Sequence, residues 1–156
     1  MKKIFFFFVV AISISINAAA NESEIRDWYQ NYANHWLKAN PDINQVAKFY
    51  ASPFYYLSGE GPSVDSSETM RKALKEYANT WKQQGWVGSK LISLKVKKLN
   101  DSSAIILTEW DIYDKNGNSL IGCSKAPWTY LAAKTDEGWK FTLEIEQACD
   151  RRLSID

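Results

Sequence analysis

The side chains able to do chemistry are few. His35 is the single histidine among 156 residues, and an imidazole titrating near neutral pH is a natural general base. Its place beside Trp36 suits equally a ring packed at a helix edge. One histidine and two cysteines cannot supply an ordinary metal ligand set, so no metal and no cofactor is expected. Glu109 and Asp111 stand two apart in an alternating stretch, hence on one face of a strand, where paired carboxylates can do acid–base work. Their phase opposes that of Ala104, Ile106, Thr108, Trp110 and Ile112, which predicts an outer surface, solvated or facing a second copy. Lys125 is expected opposite Thr108, pointing inward, where an ammonium could hold an anionic ligand. Pro127, two residues on, interrupts that ladder. Tyr50, Tyr55, Tyr56, Trp81, Trp86, Trp110 and Trp128 can wall a ligand cavity or simply fill a core. Neither a G-x-S-x-G elbow nor a phosphate loop occurs.

The first twenty residues read as an address. Lys2 and Lys3 precede an apolar run from Ile4 to Ile16, and Ala18-Ala19-Ala20 offers a cleavage site, with Asn21 as the mature start. Thirteen apolar residues are too few to span a bilayer, which takes about 20. The expectation is a cleaved signal peptide over 1–20, a periplasmic or secreted location and no membrane anchor afterwards. The mature 136 of the 156 residues suffice for one domain, 21–149, followed by a polar tail, 150–156. Loss of Lys2 and Lys3 takes the net charge from +1 to −1. A near-neutral chain without a basic cluster excludes nucleic acid as the main partner. In an exported chain Cys123 and Cys149 point to one disulfide, with two free thiols as the alternative.

These residues need elements to position them. Ile25, Trp28, Tyr29, Tyr32 and Trp36 share one helical face and predict a first helix over 22–38. Asn40-Pro41 stops it and caps a second, Asp42 to Tyr50, which Ser52-Pro53 ends. Phe54 to Leu57 reads as a short strand, and Gly59 to Pro62 as a turn. Asp65-x-x-Glu68 resembles a capping box for a third helix, carrying Met70, Leu74, Tyr77 and Trp81 and ending at Gly85. A strand meander follows. Leu91–Leu99 is expected to face Ser103–Asp114, with Ile92, Leu94 and Val96 opposite Trp110, Thr108 and Ile106. Asn116-Gly117 turns the chain into a long strand from Ser119 to Lys134. The last strand, Trp139 to Gln147, alternates Trp139, Phe141, Leu143 and Ile145 inward with Lys140, Thr142, Glu144 and Glu146 outward. Folding about Asp136-Glu137 brings Cys123 opposite Cys149 within a residue or two, a geometry open to a cross-strand disulfide.

Helix, helix, short strand, helix and meander, in that order, resemble the NTF2-like superfamily, in its SnoaL-like and ketosteroid-isomerase-like branch. The residues that carry the likeness are Ala47-x-Phe49-Tyr50 with Pro53-Phe54, the helix Ser67 to Gln84 before Gly85, and Leu99-x-Asp101-x-x-Ala104. They continue with Asp114-x-x-Gly117 and with Tyr130-Leu131 before Gly138-Trp139-Lys140, so the likeness spans 22–147. It implies an α+β cone, three N-terminal helices packed on a curved antiparallel sheet, with a pocket at the open end and a tendency to dimerise. Superfamily membership does not give chemistry. The position of the isomerase's general-base Asp holds Ser58, which needs a separate base to move a proton. Tyr32 lies near the helix-one Tyr of its oxyanion hole, whose acidic partner has no match. The Arg and two Asp of limonene-epoxide hydrolases are likewise unmatched. The resemblance therefore implies non-catalytic binding of a small apolar ligand or a protein partner. The alternative is a SnoaL-like isomerase, cyclase or dehydratase acting on a small hydrophobic substrate. The pocket candidates are Tyr32, Tyr55, Ser58, Trp81, Thr108, Trp110 and Lys125. A homodimer would use the outer sheet face, at Leu91, Ile105 and Leu107.

Overall fold

A computed structural model describes residues 22–151 and 153–155. The expected signal segment and Asn21 lie outside the described residues, as do Arg152 and Asp156 of the tail. Three helical segments pack on a six-stranded mixed sheet. Helix α1 (22–36) is followed by one helical turn, α2 (Ile43–Val46), which tightens into a 3-10 turn (Ala47–Phe49). Strands β1 (Tyr50–Ser58) and β2 (Gly61–Asp65) precede α3 (Ser67–Gln83). Strands β3 (Trp86–Asn100), β4 (Ser103–Asp114), β5 (Ala126–Thr135) and β6 (Gly138–Glu146) complete the sheet in the order β2-β1-β6-β5-β4-β3. All neighbours are antiparallel, as expected, except β1 and β6, which run parallel and make the sheet a mixed one.

The core lies between α1 and the inner sheet face. Ile25, Tyr29, Tyr32, Ala33 and Trp36 are buried at helical spacing. Phe141 on β6, fully buried, meets the rings of Trp28 at 4.6 Å, Tyr32 at 4.8 Å and Tyr130 at 4.6 Å. On β4 the even positions Ala104, Ile106, Thr108, Trp110 and Ile112 are all buried, as their alternation predicts.

Several expected boundaries move, each for a local reason. The second helix is shorter than Asp42 to Tyr50, and its cap is Asp42 rather than Asn40: the Asp42 carboxylate accepts from the Asn44 and Gln45 N–H groups. Tyr50 is already strand, and the cis Ser52-Pro53 bond lies inside β1. Pro53 has no N–H to donate, and it falls where the β1–β6 ladder slips between Tyr50 and Tyr55. The expected turn at 59–62 is tighter: Gly59 and Glu60 turn the chain, while Gly61 and Pro62 already belong to β2, an edge strand with little periodic signal. Helix α3 is capped one residue later than expected. Ser66, not Asp65, accepts from the Thr69 N–H, and Thr69 Oγ1 accepts from the Ser66 N–H at 2.8 Å. Strand β3 begins at Trp86, and a bulge between Leu91 and Ser93 sets Leu91, not Ile92, opposite Trp110; Leu94–Thr108 and Val96–Ile106 pair as expected.

Two corrections matter for the site. Strand β5 starts at Ala126 instead of Ser119, so Thr108 faces Trp128 and Trp110 faces Ala126. Residues 119–125 form a loop, held where the Leu120 N–H donates to the Ile112 carbonyl and the Ser119 hydroxyl to the Cys123 carbonyl. On β6 the pairing slips: Ala132 faces Phe141 while Leu131 faces Leu143, which leaves Thr142 as an extra residue. Its hydroxyl donates to the Leu131 carbonyl at 3.1 Å. One inserted residue inverts the alternation beyond it. Glu144 and Glu146, expected outward, turn to the inner side.

Candidate functional site

An inner cavity of about 400 Å³ opens between α1, α3 and the sheet. Helix α1 contributes Tyr32 and Trp36 to its wall, and α3 contributes Met70, Leu74, Tyr77 and Trp81. The sheet supplies Tyr50, Phe54 and Tyr56 from β1, Trp110 and Ile112 from β4, Trp128 and Tyr130 from β5, and Glu144 and Glu146 from β6. Asp65 at the end of β2 and Cys149 beyond β6 complete the rim. The wall is therefore aromatic and aliphatic with a few polar groups, the make-up of a small-molecule site.

Glu144 is the chemical centre of this wall. Its ladder neighbours are Tyr56 on β1 and Tyr130 on β5. Among the described residues no hydrogen bond or ion pair reaches its carboxyl. The side chain is half-buried and reaches the cavity, and desolvation by the groups packed around its carboxyl, reinforced by the charge of Glu146, pushes its pKa up to about 8. At neutral pH it is largely a neutral acid. Burial likewise raises the hydroxyls of Tyr32, Tyr50, Tyr56, Tyr77 and Tyr130, so each remains a protonated donor. Tyr32 and Tyr50 share a 2.8 Å hydrogen bond. The Trp36 indole N–H lies toward the Tyr32 hydroxyl, yet it is buried without a hydrogen bond of proper geometry.

Behind the cavity a polar chain crosses the core. The Trp110 indole donates to the Tyr29 hydroxyl at 3.1 Å, Tyr29 to Thr108 Oγ1 at 3.4 Å, and Thr108 to the Trp128 carbonyl at 3.4 Å. It gives buried polar groups partners and sets the Trp110 ring against the cavity.

Of the residues singled out from sequence, Tyr32, Trp81 and Trp110 line the cavity. Thr108 lies in the core chain behind it. Tyr55 points out of the sheet and is exposed. Ser58 closes the β1–β2 hairpin, its hydroxyl donating to the Gly61 carbonyl and accepting from the Glu60 N–H. Lys125 is exposed in the loop before β5, so the register that aimed it inward is corrected. His35 packs its ring on Phe49 at 5.7 Å and borders a separate shallow cleft with Lys48 and Lys140. Glu109 and Asp111 keep the outer phase of β4. Leu107 on that outer face is already buried within the single chain. Sequence reasoning missed Glu144 and Glu146 because no residue signal marks the Thr142 bulge, and Tyr130 because the expected register turned the other face of β5 inward: Thr108 pairs with Trp128, not with Lys125.

Cys123 and Cys149 are bonded, with Cα atoms 6.2 Å apart. The bond is not cross-strand as expected: it ties the 119–125 loop to the chain just beyond β6. A disulfide is compatible with an oxidising compartment. No helix among the described residues is long and apolar enough to cross a membrane. Among them, no group of three or more His, Cys, Asp or Glu side chains is placed to hold a metal.

Helices over a mixed sheet with a cavity on the inner face define the NTF2-like class of α+β domains. Residues 22–148 match the family model described as "NTF2-like protein (DUF6841)", and the chain belongs to that family. Comparison with curated proteins returns no match. Among solved structures, it is similar to an NTF2-like protein with a cystatin-like fold from Novosphingobium aromaticivorans. The two superpose with a TM-score of 0.68 at 12% identity, over 89% of this chain and 88% of the other. An NTF2-like protein of unknown function from Pseudomonas putida KT2440 gives a TM-score of 0.64 at 14% identity, over 81% and 85%. One from Shewanella oneidensis MR-1 gives 0.59 at 18%, over 79% and 95%. At these identities the likeness is one of fold.

Proposed function

We propose that this protein is an exported binding domain whose inner cavity takes a small, largely apolar ligand. The observation that carries the reading is the cavity itself: about 400 Å³, walled chiefly by Trp, Tyr, Phe and aliphatic side chains. Burying apolar ligand area there supplies the affinity, and the tyrosine hydroxyls orient the ligand. The test uses the neutral dye N-phenyl-1-naphthylamine. It should bind one per chain, brighten, and quench tryptophan fluorescence. Ala73→Trp, which adds a ring at the cavity wall, should abolish binding without unfolding the domain. Binding unchanged by that substitution would mean a surface site and would remove the proposal.

One observation favours a second reading, the SnoaL-like isomerase, cyclase or dehydratase. Glu144 is a neutral acid held between two tyrosines inside a cavity, a placement suited to moving a proton beside a carbonyl. Incubation with a panel of cyclic ketones in deuterated water should then place deuterium next to the carbonyl, and Glu144→Gln should stop it. Equal exchange by the wild-type protein and the variant would eliminate this reading.

A further inference from the structure

The charges facing the cavity are all of one sign. Asp65 comes from β2, and Glu144 and Glu146 from β6, while no lysine, arginine or histidine lines the wall among the described residues. The other titratable groups facing Glu144 are hydroxyls: Tyr32 on α1, Tyr50 and Tyr56 on β1, Tyr77 on α3 and Tyr130 on β5. Trp36, Trp81, Trp110 and Trp128 supply indole rings from three sides. Indole and phenol faces attract cations through the ring quadrupole, most strongly where water is excluded. An anionic ligand would meet Asp65 and Glu146 with no basic side chain to offset them, and would find no counter-charge at Glu144. A wholly apolar ligand would leave the Glu144 carboxyl without a partner. We propose that the ligand is an organic ammonium ion, an alkylated amine whose cationic head lies among the indole and phenol rings with Glu144 as its counter-charge. This inference deepens the binding reading above and rests on it.

The chemistry ties binding to a proton. Glu144 holds its proton because desolvation disfavours its charge and no cationic side chain lines the cavity to compensate it. A fixed cation supplies that compensation, so binding should expel the proton. Affinity for such a cation then rises with pH up to about 8, the Glu144 value in the empty cavity, by at most about tenfold per pH unit, and levels off above it.

The experiment compares phenyltrimethylammonium, whose charge does not titrate, with tert-butylbenzene, its neutral counterpart of the same shape. Both are titrated into the purified protein at pH 6, 7 and 8, by tryptophan fluorescence and calorimetry. The expected result is that the cation binds at least about tenfold more tightly than the hydrocarbon at pH 8. Its affinity should fall toward pH 6, with close to one proton released per cation bound at the lower pH. Glu144→Gln should abolish the pH dependence and weaken the cation at pH 8 while leaving the hydrocarbon unchanged. Circular dichroism and thermal melting verify that the variant is folded, and should it fail to fold, the wild-type pH series alone decides. Equal affinity for the two probes, or tighter hydrocarbon binding, overturns the ammonium assignment and leaves the apolar-ligand reading standing. Binding of neither probe overturns both.

Discussion

Glu144 shows how one side chain can oppose the fold that holds it. Its carboxyl starts near the ordinary carboxylate value in the unfolded chain and rises to about 8 in the folded one. Between these limits the folded state binds the extra proton, so its contribution to stability is present below about pH 4.5 and is lost as pH rises to about 8. Melting temperature should therefore fall across that window. Glu144→Gln, which keeps the shape without the charge, should flatten the curve and melt higher than wild type at pH 8, by an amount on the order of a few kcal/mol of stability. Parallel curves for the two proteins would show that Glu144 is solvated in the folded state. The depressed carboxylates act oppositely and elsewhere. Glu24, lowered chiefly by its hydrogen bond from Lys134, contributes stability lost only in acid, below the ordinary carboxylate value. The two effects occupy separate pH ranges and can be read from one titration. None of this was legible from residue type: Glu144 alternates with Leu143 and Ile145 like any outer-face acid.

At the scale of elements, periodicity located what it should locate and failed where period was locally broken. Strand β4 has the predicted bounds, Ser103 to Asp114, because five buried positions alternate without interruption. Helix α3 starts within its predicted turn because capping chemistry is local. Strand β2 is unmarked in the sequence beyond the turn that precedes it: a five-residue edge strand carries almost no hydrophobic pattern. The strand expected from Ser119 rests on the Asn116-Gly117 turn, which marks where the chain reverses but not where pairing begins, and β5 starts at Ala126, beyond 119–125. In the fold that segment is a loop closed by hydrogen bonds to β4 and by the Cys123–Cys149 bond. The largest consequence came from the smallest event. With Thr142 inserted, Phe141 and Glu144 face the same side although they are three residues apart, and the cavity gains its acid. A strand can be read for its period, but the place where the period slips is set by its two neighbours.

At the scale of the whole molecule, the proposed export and the disulfide together make one prediction. Expressed with its first twenty residues, the chain should be recovered outside the inner membrane, beginning at Asn21, with a mass two hydrogens below that of the dithiol form. Replacing both cysteines by alanine should cost about 3.5 kcal/mol, the chain-entropy value for a loop of this length. A mass carrying the full leader, or two free thiols, would overturn the export reading. The disulfide joins the 119–125 loop and the chain beyond β6 beside the cavity rim, where Cys149 is part of the lining. Its loss should therefore weaken dye binding as well as stability.

By itself the sequence determined the order of the helices and of every strand but β2, and the apolar faces of α1, α3 and β4, because each depends on neighbours within a turn or a strand; composition and motif order gave the cysteine pair and the family likeness. Tertiary structure alone decided which side chains meet in the cavity. Ser58 left the site because it closes the β1–β2 hairpin; Lys125 left and Tyr130 entered because β5 pairs with β4 three residues away from the expected register; and Glu144 entered through a one-residue slip, which exchanges the faces of a strand and depends on the adjoining strands. Side-chain type names the chemistry available; the register decides which of it faces a ligand.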